Sequence, residues 1–194
     1  MSQNKIHIVF NPAAAGGTAA ENKNRILCEF LNHYETKFKF SETLSGTDTT
    51  RIAKEAVESG CEIIIAVGGD GTVNQVVNGI LQSSGNMSTK TRLGIISFGT
   101  GHGFSQSIGL PDDFDSQIKV IKNDVSRLVD IGKISFEGDR PDKYFINELQ
   151  FGIGGKLIES ISPLTKKLLG RYAYGFEAVK TLLNYKLLIT CYYS

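Results

Sequence analysis

The period of the hydrophobic positions changes several times along this chain, and each change marks an element. Ile63-Ile-Ile-Ala-Val-Gly68 is an unbroken apolar run rich in β-branched residues, which predicts a strand buried on both faces, as in a parallel sheet. Directly after it, Val73, Val76, Val77, Ile80 and Leu81 recur at helical spacing, so the strand feeds a helix with one apolar face. Gly68, Gly69 and Gly71 fill the turn between them with Asp70 held in the middle, and Thr72 or Asn74 is the expected helix cap. The same reading gives strands over Lys5–Phe10, Lys37–Thr43 and Leu93–Phe98, with helices over Glu21–His33 and Asp48–Ser59. The resulting order, βαβαβαβ, predicts an α/β fold: a parallel, doubly wound, Rossmann-like sheet with right-handed crossovers.

In such sheets a ligand sits outside the carboxyl ends of the strands. Three loops leave those ends, Asn11–Thr18, Gly68–Asn74 and Gly99–Phe104, and Thr43 closes the second strand on the same side. A glycine turn running into a helix N-terminus brings free N–H groups and the positive end of the dipole together, which suits phosphate. After Gly109-Leu-Pro111 the pattern changes to a short helix, Phe114–Lys122, and a strand over Arg127–Ile134. Ser162–Asn184 reads as helical with a break near Gly170, and Lys186–Tyr193 as a strand. The expected division is therefore an α/β domain over residues 1–125 and part of a β-rich domain over residues 126–194.

Composition narrows the function classes. A net charge of +1 over 194 residues gives no footprint for nucleic acid. Cys28, Cys61 and Cys191 are an odd number without a Cys-x-x-Cys pair, so buried thiols in a reducing compartment are expected rather than disulfides or zinc. No apolar run reaches the roughly 20 residues of a membrane span, and no signal segment precedes the first strand; a cytoplasmic protein is expected. Ser162–Ser194 carries five basic residues and one acidic one among Leu168, Leu169, Tyr172, Tyr174 and Phe176. That stretch either rests on anionic lipid at the inner membrane face or packs its apolar side on the second domain. Gly155-Lys156 is followed by Leu157, and Gly99-x-Gly-x-Gly103 lacks the six-residue spacing, so neither a P-loop nor a dinucleotide fingerprint is present.

Gly68-Gly-Asp-Gly-Thr-Val-Asn74 resembles the signature of the diacylglycerol-kinase catalytic domain family, which contains diacylglycerol, sphingosine and bacterial lipid kinases. The opening Asn11-Pro12 with Gly16-Gly17, the Gly99-Thr100-Gly101 segment, Val129-Asp-Ile-Gly132 and Tyr144-Phe-Ile-Asn147 are similar to further elements of that family. The resemblance implies ATP and Mg²⁺ as cofactors and transfer of the γ-phosphate to a hydroxyl of a diacylglycerol- or sphingosine-like lipid at a membrane surface. It places the nucleotide against Asn11, Thr43, Gly68, Gly69, Asp70, Gly71, Thr72, Val73, Asn74, Gln75, Gly99 and Thr100, with Asp70 as catalytic base or organiser of metal and water. The metal ligands beyond that are not identified.

Departures from the family pattern are local. His102-Gly103 stand where the family has Asn-Asp, Gln75 where it usually has glutamate, and Gly154 where many members carry aspartate. With the chain ending at Thr190-Cys-Tyr-Tyr-Ser194 inside an expected strand, the resemblance also leaves the C-terminal base and metal site of the family outside it. Two other readings follow: an ATP-binding module without turnover, and a relative of the NAD kinases, against which Asn11-Pro12 and Thr72–Gly79 speak. An incomplete β-rich domain would expose a sheet edge, so self-association into a homo-oligomer is expected.

Overall fold

The computed structural model describes residues 6–34, 38–83, 90–98 and 103–149. Four strands, β1 (Ile6–Phe10), β2 (Phe38–Glu42), β3 (Ile63–Gly68) and β4 (Arg92–Ser97), form a sheet in the order β2-β1-β3-β4. Every pairing is parallel; Ile8, for example, lies opposite Phe40 on one side and Ile65 on the other. Six helices accompany them: α1 (Thr18–Glu21), α2 (Lys23–Tyr34), α3 (Gly46–Glu58), α4 (Asp70–Leu81), α5 (Gly103–Ser107) and α6 (Phe114–Lys122). A short antiparallel pair, β5 (Gly132–Ile134) with β6 (Lys143–Phe145), follows.

Alternation along the strands explains why both faces of the sheet are covered. On one face Val9, Ile64, Ala66 and Ile95 pack with Ile52, Ala56 and Val57 of α3 and Val73, Val76 and Ile80 of α4. Odd and even positions then exchange roles. Ile8, Phe10, Ile65, Val67 and Ile96 pack on the other face with Ala19, Ile26 and Phe30 from α1 and α2, and with Ile118 and Ile121 of α6. Each fully buried aliphatic or aromatic side chain contributes on the order of 1.5–3 kcal/mol. Helices α3 and α4 approach tightly at Gly79, where a Cβ would lie 2.6 Å from the Ala53 Cβ and collide with the Thr50 carbonyl. Glycine at that position is what lets α4 and α3 approach along this line.

Four local expectations are corrected. Neither Thr72 nor Asn74 caps α4; the cap is Gly69 with extended backbone and no side-chain bond, because the helix starts as soon as the glycine turn ends. The helix before β3 starts at Gly46, two residues early, since the Ser45 hydroxyl accepts from the Asp48 amide at 3.2 Å. The strand expected over Arg127–Ile134 is only Gly132–Ile134. Its first half, with Leu128 and Val129 exposed, pairs with no described strand. Cys28 is exposed, whereas Cys61 is buried as expected; Cys28 lies on the outward side of α2, away from Ile26 and Phe30. Cys191 lies outside the described residues.

By contacts the chain divides into two compact units, Met1–Asn147 and Glu148–Ser194. The first holds both sheets; of the second only Glu148 and Leu149 are described. The readings for Ser162–Ser194 therefore fall outside the described residues. Among the described residues no helix is long and apolar enough to cross a membrane.

Candidate functional site at the switch point of the sheet

In the order β2-β1-β3-β4, the chain leaves β1 in one direction and returns past it in the other. The carboxyl ends of β1 and β3 are therefore the switch point, where neighbouring connections diverge and leave a crevice. Asn11 follows β1 and Gly69-Asp70 follow β3, so the sequence places its most polar turn at that point. The Asn11 amide donates to the Val67 carbonyl at 3.0 Å, and its carboxamide spans the crevice to the Thr72 hydroxyl at 2.9 Å. Its side-chain oxygen accepts from the Ala13 amide at 3.0 Å, which starts the following turn. Ala15, Gly16 and Gly17 then all take positive φ, at 53°, 68° and 103°. For Ala15 this costs on the order of 1 kcal/mol.

The glycine turn is shaped by what surrounds it. A Cβ on Gly68 would lie 2.5 Å from the Thr72 hydroxyl and 2.7 Å from its Cβ, and one on Gly69 would lie 3.3 Å from the Phe98 carbonyl. These two glycines thus make room for Thr72 and for the end of β4. Gly71 meets nothing within 4 Å and opens on the crevice. The Thr72 and Val73 amides return to the Gly69 carbonyl at 2.9 and 3.1 Å. The amides at the very start of α4 have no carbonyl one turn earlier to bind.

Two side-chain oxygens in this region are buried without a partner: Oδ1 of Asp70 and Oδ1 of Asn74. Such atoms are rare, and each asks for an explanation such as a ligand or ion. Oδ2 of Asp70 lies 3.3 Å from the point where a Cβ on Gly103 would stand. Thr43 is 5% exposed and its amide donates to the Phe10 carbonyl at 2.8 Å. Its loop is stitched to α3 through Asp48, which accepts from the Leu44 amide at 3.2 Å. Arg51, with the Leu44 amide, holds the Asp48 carboxyl below the usual carboxylate range.

The structure therefore brings Asn11, Thr43, Gly68, Gly69, Asp70, Gly71, Thr72 and Asn74 to one edge of the sheet. Val73 differs: its side chain is 1% exposed and belongs to the core. Gln75 turns to α3, its carboxamide lying against Gly46 and its carbonyl accepting from the Thr50 hydroxyl at 3.2 Å. Gly99 and Thr100 lie outside the described residues. Two residues of the edge were not singled out as site residues. Asn78, one turn beyond Asn74, binds the Tyr144 backbone with both ends of its carboxamide, at 2.8 and 3.0 Å. Asn147 has its Nδ2 2.9 Å from the Gly103 Cβ position. The signal for it is the segment Tyr144-Phe-Ile-Asn147, whose similarity to a family element gives it no role by itself.

The family model "Diacylglycerol kinase catalytic domain" matches residues 5–134. The chain belongs to this family. A diacylglycerol kinase of Bacillus subtilis is 32% identical over 183 residues, covering 92% of this chain and 55% of that protein. The diacylglycerol kinase of Staphylococcus haemolyticus is 39% identical over 178 residues, 88% of this chain and 49% of that protein. A crystal structure of a diacylglycerol kinase from Bacillus anthracis superposes with a TM-score of 0.56 at 27% identity, over 66% of this chain and 45% of that one. The chain thus spans about half the length of the curated relatives it matches. The fold expected from the hydrophobic pattern, a mixed α/β unit on a parallel sheet, is the fold of these diacylglycerol kinases.

Proposed function

We propose that the crevice binds the phosphates of ATP and that the protein is a lipid kinase, or its nucleotide-binding part, which passes the γ-phosphate to a hydroxyl of a diacylglycerol- or sphingosine-like lipid. One observation carries this reading: the unpartnered Asp70 Oδ1 at the N-terminus of α4, beside an open glycine turn, at the switch point of a diacylglycerol-kinase catalytic domain. Phosphoryl transfer asks little covalent chemistry of a protein. It needs in-line positioning and charge neutralisation.

The residues divide those tasks. The first amides of α4 and the end of its dipole take the phosphate oxygens. Asn11 ties Thr72 across the crevice at 2.9 Å, so the two walls of the phosphate site cannot drift apart. Thr43, fixed by the β1 carbonyl, lines the neighbouring strand end. Mg²⁺ usually takes one or two carboxylates with phosphate oxygens and waters, and Asp70 with Asn74 offers one carboxylate and one amide oxygen, both with an unused lone-pair site. These residues fit the ion, which when bound would neutralise charge on the phosphates. Asp70 is also the group placed to take the proton of the attacking hydroxyl or to hold the water that does.

A second reading, nucleotide binding without transfer, is supported by Gly103. It offers no side chain beside Asp70. Incubating the chain with γ-labelled Mg²⁺-ATP and vesicles containing diacylglycerol and sphingosine separates the two. Label in the extracted lipid supports transfer; binding without label supports the second reading. In the first case Asp70→Ala lowers the rate by roughly 10³-fold with an unchanged circular dichroism spectrum. Undiminished transfer by that variant overturns the assignment of Asp70.

A further inference from the structure

Gly103 is exposed and stands at the start of α5. A methyl group placed there would meet two atoms: Asn147 Nδ2 at 2.9 Å and Asp70 Oδ2 at 3.3 Å. The space that a side chain at position 103 would occupy is therefore bounded from elsewhere in the fold, by the end of the Asn147 carboxamide and by the Asp70 carboxylate. Asn147 belongs to the segment that follows β6, far from the glycine turn in sequence.

That segment is held against α4 by side chains acting as a strand would. Asn78 Nδ2 donates to the Tyr144 carbonyl at 2.8 Å while Asn78 Oδ1 accepts from the Tyr144 amide at 3.0 Å, and Gln82 Nε2 donates to the Asp142 carbonyl at 2.9 Å. Ile146, the neighbour of Asn147, packs on the cluster that contains Val73, Val76 and Ile80. Polar bonds on one side and apolar burial on the other thus fix where Asn147 stands. Its carboxamide is exposed and shares the approach to Gly103 with the Asp70 carboxylate, whose other oxygen is buried and unpartnered.

We propose that Asn147 is a ligand-binding residue of the site: seated over Gly103, its N–H donates to an oxygen of the terminal phosphoryl group of the nucleotide. The inference rests on the reading of the crevice as an ATP site. A neutral donor is well suited to this place, because it can approach a phosphate oxygen beside Asp70 without adding a second negative charge. Asn78 and Gln82 are positioning residues in this scheme, acting through β6.

The test is a calorimetric titration of the full 194-residue chain with Mg²⁺-ATP and, separately, with Mg²⁺-ADP. Asn147→Ala is expected to weaken ATP binding roughly tenfold and to leave ADP binding unchanged, since only ATP has the oxygen concerned. Gly103→Ala reaches the same atom from the other side: its methyl displaces the carboxamide, so it should reproduce the selective loss with Asn147 intact. If ADP and ATP weaken equally in both variants, or neither changes, the assignment of Asn147 is wrong while the nucleotide site stands. If the unaltered chain binds neither nucleotide, the reading of the crevice fails and this inference fails with it.

Discussion

Asp70 and His7 each hold a buried side-chain atom without a partner, and they differ in almost everything else. Asp70 Oδ1 lies at the carboxyl end of β3, where the turn opens beside Gly71. His7 lies near the amino end of β1, 1% exposed, its Nε2 2.9 Å from the Ser41 hydroxyl and its Nδ1 without a partner. Burial, and to a lesser degree Lys39 in the facing position of β2, lower its pKa to about 4 against an opposing pull from Glu55. The same kind of defect therefore has two meanings. At the edge where connections diverge it stands beside the open Gly71 turn, where we propose that phosphates bind; three residues from that edge it is enclosed, and the neutral imidazole is a structural group.

Substitutions at the two positions should act in opposite ways. The largest expected effect is on catalysis: Asp70→Ala should remove about three orders of magnitude of transfer and shift the unfolding free energy by no more than about 1 kcal/mol, the scale of a lost helix-dipole contact. His7 should behave in the opposite way. Its folded pKa lies below the ordinary 6.5, so above pH 6.5 both folded and unfolded chains hold it neutral and its contribution is complete. As the pH falls, the unfolded chain takes up the proton first, and stability drops by about 3 kcal/mol between pH 6.5 and pH 4, then levels off. Urea unfolding across this range, read as the difference between the native chain and His7→Gln, isolates that component from the carboxylates. No such difference would mean that the imidazole is not enclosed. The smallest effect is Thr72→Val, which leaves the Asn11 carboxamide without its acceptor across the crevice. It should cost about 1 kcal/mol in denaturant unfolding, with nucleotide affinity falling alongside.

How much of this was legible in the sequence follows the same division. The β3 run and the α4 repeat are governed by burial, and burial writes itself into hydrophobic period, so the sheet and its two covered faces could be read. Asp70 and its glycines could be read because a turn of that composition has few other uses. Val73 and Gln75 lie within the same short word, so the resemblance puts them on the nucleotide side, yet helical geometry turns one into the core and the other toward Gly46. Asn147 shows in the sequence only as the last residue of Tyr144-Phe-Ile-Asn147, a segment similar to a family element, and its place beside Gly103 is not written there. Its place depends on Asn78 bonding to the Tyr144 backbone across 66 residues, an interaction with no period and no local signature. The strand expected from Arg127 begins only at Gly132 for a related reason: apolar character predicts a wish to be covered, and only a partner makes a ladder.

Amide hydrogen exchange of the full chain with and without Mg²⁺-ATP tests the central claim most directly. Exchange should slow in peptides covering Asn11–Thr18 and Gly69–Thr72, at the switch point, and stay unchanged in those covering His7 and Cys61. Protection absent from the switch point, or equal at both ends of the sheet, would contradict it.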